Sequence, residues 1–127
     1  MKYTFKAYER LKSKKKIQEL FTSGRVIKSF PFKLVYTPLD QGQEEHQIQL
    51  AVSVSKRLFK NAVDRNRQKR LIKEAYRLQK PALYLELKNS YACMIIYLSK
   101  EELSFDQSQK AMKKLLTKFI KHTNEEI

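Results

Sequence analysis

The sequence predicts an α/β fold of the α+β type: a two-layer sandwich of helices packed on a small, mostly antiparallel four-stranded sheet. Three observations support this prediction. Residues 48–55 alternate apolar with polar side chains, residues 91–98 form a continuous apolar run, and residues 62–79 and 104–120 show the period of amphipathic helices. The 127 residues, of which 42% are hydrophobic, are one domain's worth of chain. We therefore expect a single domain, 1–127, with a real core.

The chain begins with a mixed, basic segment, residues 1–12, which we expect to lie on the domain as an N-terminal arm. Ser13 can cap a short helix that runs to about Ser23, because its hydroxyl can accept a backbone hydrogen bond from the first turn. Gly24 is placed as the C′ residue that ends this helix. The residues predicted on its apolar side are Ile17, Leu20 and Phe21.

Strands are predicted next, at residues 25–28 and 30–37, with Pro31 indicating an edge or a break. Residues 39–47 are the only acidic, turn-like segment, and they predict an exposed loop. The following strand alternates, and its predicted core face consists of Ile48, Leu50, Val52 and Val54.

A basic helix is predicted from about Ala62 to Gln79 and is ended by Pro81, since the residue before a proline is biased away from helix. Residues 81–88 leave room for one more helical turn. The apolar run 91–98 is typical of a central strand covered on both faces.

The last predicted helix begins at Ser104, with Gln107 completing a capping box. Residues 121–127 are expected to fray as a C-terminal tail. The predicted core stripe of this helix consists of Ala111, Met112, Leu115, Leu116, Phe119 and Ile120.

The charge of the chain is strongly one-sided: 27 Lys and Arg against 13 Asp and Glu, a net charge of +14. Such an excess indicates a polyanionic partner, because self-repulsion would otherwise disfavour the compact state. Nucleic acid is the first candidate and an anionic membrane surface the second. No apolar run approaches the roughly 18 residues of a membrane span. The N-terminus shows no apolar signal core and Cys93 is the only cysteine, so we expect a cytoplasmic protein without membrane contact.

Half of this net charge lies in the basic helix and the segment that leads into it. Between Lys56 and Arg77 there are nine basic residues, opposed only by Asp64 and Glu74, and Asn61 is a natural N-cap. On a helical wheel the apolar side consists of Leu71, Ile72, Ala75 and Leu78. The opposite side consists of Arg65, Asn66, Lys69, Arg70, Lys73 and Arg77, with Arg67 at the border. Like charges four residues apart destabilise a helix, so this density favours nucleic-acid contact over an ordinary solvated face.

Aromatic side chains beside these cations could stack on the bases of single-stranded nucleic acid. Phe21, Tyr36 and Tyr76 are the candidates, and for each of them core packing is the alternative. A helix-turn-helix is disfavoured, because predicted strands flank the basic helix on both sides.

No catalytic or metal-binding constellation is predicted. Asp64 and Glu74 lie ten residues apart on one helix, where a cap and a salt-bridge partner are expected. His46 and His122 are widely separated, and two glycines cannot make a phosphate loop. A self-sufficient nuclease is therefore disfavoured.

The segment from Lys60 to Arg77 resembles the signature of the ribonuclease P protein family: an Arg-Asn-Arg core, a basic pair and a continuing amphipathic helix. The strand leading into it, residues 50–57, matches too, and the similarity extends from about Leu11 to about Phe119. The resemblance implies a fold like domain 2 of ribosomal protein S5, with a left-handed βαβ crossover. It implies a subunit of the ribonuclease P holoenzyme, an endonuclease of tRNA 5′ maturation. A catalytic RNA subunit would hold Mg²⁺ and perform the hydrolysis, while one monomeric protein binds that RNA and the precursor tRNA 5′ leader.

Carried over residue by residue, the resemblance assigns RNA binding to the signature residues Arg65, Asn66, Arg67, Lys69 and Arg70, to Lys56 and Arg57, and to Phe21 in a leader cleft. Lys73 and Arg77 continue the basic side of the helix, and strand register decides whether Tyr36 or Val35 faces the leader. Ile17 and Lys60 depart from the family pattern, which often has an aromatic and a glycine there. The alternatives are a ribosomal or other structured-RNA binding protein and, third, an independent metal-dependent nuclease.

Overall fold

The computed structural model describes residues 10–39 and 48–125. Most of the predicted N-terminal arm, residues 1–9, and most of the predicted acidic loop, residues 40–47, lie outside the described residues. The elements, in chain order, are α1 (Lys14–Ser23), β1 (Arg25–Ser29), β2 (Phe32–Pro38), β3 (Ile48–Ser53), α2 (Ala62–Glu86), β4 (Tyr91–Tyr97) and α3 (Phe105–Glu125).

The four strands form one mixed sheet in the order β1-β2-β4-β3. The β1/β2 and β2/β4 pairs are antiparallel, whereas β3 and β4 are parallel and are joined by α2 as a βαβ crossover. The α+β fold class and the mostly antiparallel sheet are therefore confirmed. The left-handed sense of the crossover stays an expectation of the resemblance.

The main core lies between one face of the sheet and the helices α2 and α3. Leu34 is in register with Ile95, and Leu50 with Cys93, so these four side chains meet the helices on the same face. The residues that α3 contributes include Met112, Leu115, Leu116 and Phe119, which confirms its predicted stripe.

A second, smaller core covers the opposite face of the sheet, where α1 packs. Leu20 from α1 meets Val35, Ala92 and Met94 there, together with Leu11. α1 therefore lies on the face of the sheet opposite to α2 and α3. The apolar residues that point to this face, such as Ala92 and Met94, make β4 buried on both sides, as its continuous apolar run predicted.

Local sequence signals explain most of the helix boundaries. The Oγ of Ser13 accepts a hydrogen bond from the backbone N of Lys16 at 3.2 Å. In α3, Ser104 and Gln107 form the reciprocal capping box, with the backbone N of Ser104 donating to Oε1 of Gln107 at 2.9 Å and that of Gln107 donating to Oγ of Ser104 at 3.1 Å. Gly24 directly follows α1 and ends it, as predicted, but as the C-cap residue with an extended backbone (φ −70°) and not one position later as C′.

Two predicted helix ends were wrong. Pro81 lies inside α2, which continues to Glu86, because Leu83 and Leu87 are buried in the main core and hold the chain beyond the proline. The missing N–H of Pro81 removes one helical hydrogen bond, a loss that this packing offsets. Residues 121–125 are not frayed: α3 includes them, and Thr123 is 2% exposed.

Candidate nucleic-acid interface

The basic helix α2 is anchored to the core along one side and leaves the other side to solvent. Ile72, Ala75 and Tyr76 are buried against the sheet, and Phe59, just before the helix, packs into the same core. The wheel predicted the apolar side only in part, since Leu71 is half-buried and Leu78 is 36% exposed. The anchored side is thus turned slightly from the predicted one, toward Tyr76.

The predicted basic residues all lie outside the core. Four residues on one side of the helix are exposed: Asn66, Arg67, Arg70 and Lys73. From Arg67 onward they follow one another at intervals of three residues, which brings them close together on the helix surface. Arg65, Lys69 and Arg77 are half-buried beside them. We call these seven residues the α2 ridge.

Three arginines of the α2 ridge have partners within the chain. Arg65 Nη1 donates to the backbone oxygens of Phe59 and Lys60, at 3.0 and 3.1 Å. These bonds tie the start of the helix to the turn that precedes it. Arg65 is bound to carbonyl oxygens, which leaves its positive charge uncompensated by any carboxylate in those contacts.

Arg67 and Arg77 pair with carboxylates. Arg67 Nη1 lies 3.5 Å from Oδ1 of Asp64 and 3.3 Å from Oε1 of Glu102. Arg77 binds Glu74 with both ends of its guanidinium, including a 3.0 Å bond from Nε to Oε2. The hydrogen bond from Arg77, supported by its charge, lowers the pKa of the Glu74 carboxyl, and Glu74 in turn raises the pKa of Arg77.

The remaining cations of the α2 ridge are uncompensated. Lys69, Arg70 and Lys73 make no hydrogen bond or ion pair to the residues that the structure describes. Lys56 and Arg57, in the turn between β3 and α2, are exposed and equally without a partner in the described ranges. Phosphate oxygens are suitable external partners, because a guanidinium can donate two parallel hydrogen bonds to them.

Of the three candidate aromatic residues, Phe21 is the one that the structure leaves accessible. It is 63% exposed on α1, next to Leu20, which is 2% exposed and anchors the helix to the second face of the sheet. Val35 points to this same face. The register therefore places Val35, rather than Tyr36, on the side of the sheet that α1 covers.

Tyr36 and Tyr76 belong to the main core, and their proposed stacking on bases is withdrawn. Each is 1% exposed. The Tyr36 ring makes edge-to-face contacts with Tyr91 and Phe119, at centroid distances of 5.6 and 5.3 Å. Such rings cannot reach a nucleic acid on the surface of this fold.

Two buried polar residues of α2 were missed by the sequence analysis. Gln68 is 1% exposed, and its Oε1 accepts a hydrogen bond at 3.3 Å from the backbone N of Leu103, which ties α2 to the segment before α3. Lys80 is 5% exposed, with its Nζ 5.6 Å from the centroid of the Tyr84 ring. A wheel carries no signal for Gln68, because its partner lies 35 residues away.

The described residues form no cluster of possible metal ligands, and their one cysteine is buried. They contain no group of three or more His, Cys, Asp or Glu that could hold a metal ion. Cys93 is buried, and this burial raises the pKa of its thiol, so the reactive thiolate is disfavoured. His122 is exposed on α3, and His46 lies outside the described residues. Of the helices described, none is both long enough and apolar enough to cross a membrane.

Comparison with known proteins gives a consistent result. The model of the Ribonuclease P family matches residues 5–120. The ribonuclease P protein component of Porphyromonas gingivalis strain W83 is 36% identical over 114 residues, covering 85% of this chain and 80% of that protein. The Bacillus velezensis protein component is 35% identical over 113 residues, covering 89% and 90%. The solved structure of the Staphylococcus aureus RNase P protein has a TM-score of 0.68 and 26% identity, covering 88% of this chain and 94% of that one.

Proposed function

This chain belongs to the ribonuclease P protein family. Proteins of this family are components of a ribonuclease with a role in tRNA processing, and from that membership we propose the function of this chain. It binds the catalytic RNA subunit and the 5′ leader of precursor tRNA, and it assists the endonucleolytic removal of that leader. One monomeric chain serves one RNA, in the cytoplasm.

The observation that supports RNA binding is the α2 ridge. Its exposed or half-buried cations Lys69, Arg70 and Lys73 lack partners among the described residues, and Lys56 and Arg57 extend them toward β3. Neutralising RNA phosphates with these groups releases counterions, which supplies binding free energy that falls steeply with salt. Asn66, exposed among them, can both donate and accept hydrogen bonds at a sugar or base edge.

The leader is proposed to lie along the sheet face that carries α1. Phe21 is exposed there, and an aromatic ring on a rigid helix is a stacking platform for an unpaired base. Leu20 fixes the position of that helix by packing on Val35, Ala92 and Met94. The protein would thereby hold a flexible single strand in one place, so that less entropy remains to be lost when the bound substrate reaches the transition state of cleavage.

The hydrolysis itself is assigned to the RNA subunit, with Mg²⁺ held mainly by RNA. The donor set of the described residues does not fit a protein-built magnesium site. Asp64 is 3.5 Å from Arg67, and Glu74 binds Arg77, so two of the three carboxylates of α2 are already paired with guanidinium groups. The third, Glu86, lies at the far end of the helix and belongs to no group of possible metal ligands among the described residues.

Reconstitution tests the proposal. Precursor tRNA is incubated at low Mg²⁺ with the purified chain, with the cognate RNA subunit, and with both. We expect little cleavage from either alone and correct 5′ maturation from the two together, because the cations of the chain replace part of the Mg²⁺ needed to screen RNA phosphates. Cleavage by the chain alone would instead support an independent nuclease. No enhancement of the RNA would support a structured-RNA binding protein outside ribonuclease P.

A further inference from the structure

A second cationic surface lies on α3 and is not part of the α2 ridge. Lys110, Lys113, Lys114, Lys118 and Lys121 are all exposed. We propose that this α3 lysine row binds an RNA phosphate backbone, separately from the α2 ridge; the inference rests on the proposed function and extends it to a second contact surface.

The charge of this row is less compensated than that of the α2 ridge. Between Asp106 and Glu125, at the two ends of α3, there is no acidic residue. None of the five lysines forms an ion pair with a carboxylate of the described residues. Pairs such as Lys110/Lys114 and Lys114/Lys118 are four residues apart and repel each other, which destabilises the helix until an external anion binds.

The row is held in place by the fold. On the opposite side of α3, Met112 and Leu115 are fully buried and Phe119 is 1% exposed. Lys118 Nζ donates a hydrogen bond to the backbone oxygen of Lys28 at 3.0 Å, which joins the row to the edge strand β1. The lysines are thus presented by a helix that is anchored to the core, so little conformational entropy of the backbone is lost on binding.

The α3 lysine row and the α2 ridge are different surfaces. The two helices are in contact, with Gln79 Nε2 donating to the backbone oxygen and Oε1 of Gln109 at 2.9 and 2.8 Å. Beside this contact runs a groove of about 620 Å³, lined on α2 by Leu78 and Ala82 and on α3 by Lys113 and other residues. Leu78 and Ala82 lie on another side of α2 than Arg70 and Lys73, so the groove separates the two cationic surfaces.

An anionic membrane is the less suitable partner. Helices that lie in a membrane surface insert an apolar side between the lipids. The apolar side of α3 is already used, because Leu115, Leu116 and Phe119 are in the main core. Binding of RNA phosphates requires only the exposed lysines of α3 and no free apolar side of the helix.

Directed cleavage of RNA tests the inference. An iron–EDTA group is attached at Lys114→Cys, at Lys73→Cys on the α2 ridge, and at Lys88→Cys, an exposed position outside both surfaces. Cys93 is buried, so the new cysteine alone is labelled in the folded chain. The chain is assembled with RNase P RNA and precursor tRNA, each radiolabelled in turn. We expect cuts from Lys114→Cys at nucleotides that Lys73→Cys does not cut, above the background of Lys88→Cys.

The radiolabel identifies which RNA lies on the α3 row, and cuts in either one support the inference. Cuts from Lys73→Cys alone would overturn it while leaving the proposed function intact. Absence of cuts from both probes would contradict the proposed function as well. Binding to vesicles of phosphatidylserine and phosphatidylcholine through these lysines, with RNA uncut by the Lys114 probe, would also overturn it.

A substitution experiment gives an independent readout. Lys114→Gln/Lys121→Gln is compared with Lys88→Gln/Lys100→Gln, which removes the same charge from exposed positions outside both surfaces. Raising the salt from 50 to 200 mM weakens RNA binding by some factor in each variant. If the first variant has lost two phosphate contacts, its factor is about ten times smaller than that of the second variant. An identical salt dependence in both variants would exclude the α3 row from the complex.

Discussion

Gly24 sets the distance between α1 and the sheet, and its replacement by alanine tests that packing. A Cβ at this position would overlap the carbonyl oxygen of Leu20 and lie 2.7 Å from Cγ1 of Val35. Neither atom can yield easily. The carbonyl of Leu20 accepts a 3.0 Å hydrogen bond from the backbone N of Gly24, and Val35 is a buried, β-branched residue. Overpacking of this kind costs about 1–3 kcal/mol.

The assay is thermal unfolding followed by calorimetry. For a domain of this size, each kcal/mol corresponds to roughly 4 °C in Tm, so Gly24→Ala should lower Tm by about 4–12 °C. Ser23→Ala, a change at the neighbouring exposed position, should stay within about 2 °C. An unchanged Tm for Gly24→Ala would mean that α1 can move away from Val35 without cost, and that glycine is not what fixes this distance.

Three further predictions concern individual side chains. Phe21→Ala should weaken binding of the single-stranded leader by about 5- to 150-fold, the equivalent of one stacked base. Tyr36→Phe, a change in the core, should leave leader binding unaltered. Fluorescence anisotropy measures both affinities, and equal effects would contradict the assignment of Phe21 to the leader. Cys93, whose burial raises the pKa of the thiol, should resist iodoacetamide at pH 8 until urea unfolds the chain, and rapid labelling of the native chain would contradict its placement. Because Arg77 lowers the pKa of Glu74, the ion pair should persist when the pH equals the ordinary pKa of a glutamate. Its contribution to stability should disappear only as the pH falls through the lowered pKa of Glu74 in the folded chain. The NMR titration midpoint of Glu74 measures this pKa, and a midpoint that does not rise in Arg77→Gln would contradict the prediction.

The elements that the sequence predicts correctly are those defined by local signals. Ser104 and Gln107 are three residues apart and satisfy each other's backbone groups, so the start of α3 is readable without tertiary information. The alternation from Ile48 to Val54 likewise predicts which face of β3 is buried, and the structure places both of these residues in the main core. Short-range chemistry decides these features.

The features that the sequence could not predict depend on distant partners. Pro81 is a local signal for a helix end, but burial of Leu83 in the main core outweighs it. Tyr36 and Val35 are adjacent, and both are buried, on opposite faces of β2, so the positions of α1 and α3 decide which side chain meets which helix. Gln68 is a polar residue on a largely polar helix, so its type does not predict that it is buried. Its burial depends on the hydrogen bond that its Oε1 accepts from the backbone N–H of Leu103, in the segment before α3.

The candidate site divides in the same way. The wheel identified the cations of the α2 ridge, because solvent exposure follows from helical period once the apolar side is known. It could not separate Lys69, Arg70 and Lys73 from Arg67, whose guanidinium also contacts Glu102 across 35 residues. Which cations remain available to RNA is therefore a property of the fold.

The salt dependence of RNA binding tests the central claim, that α2 presents its cations to RNA phosphates. Affinity of the chain for the cognate RNA subunit is measured between 50 and 200 mM salt for the unmodified chain and for Arg70→Gln/Lys73→Gln, both exposed positions. Each lost phosphate contact reduces the log–log slope by roughly 0.7–0.9, so the variant, which loses two, should show a slope shallower by about 1.4–1.8. An equal slope in the two proteins would contradict the claim.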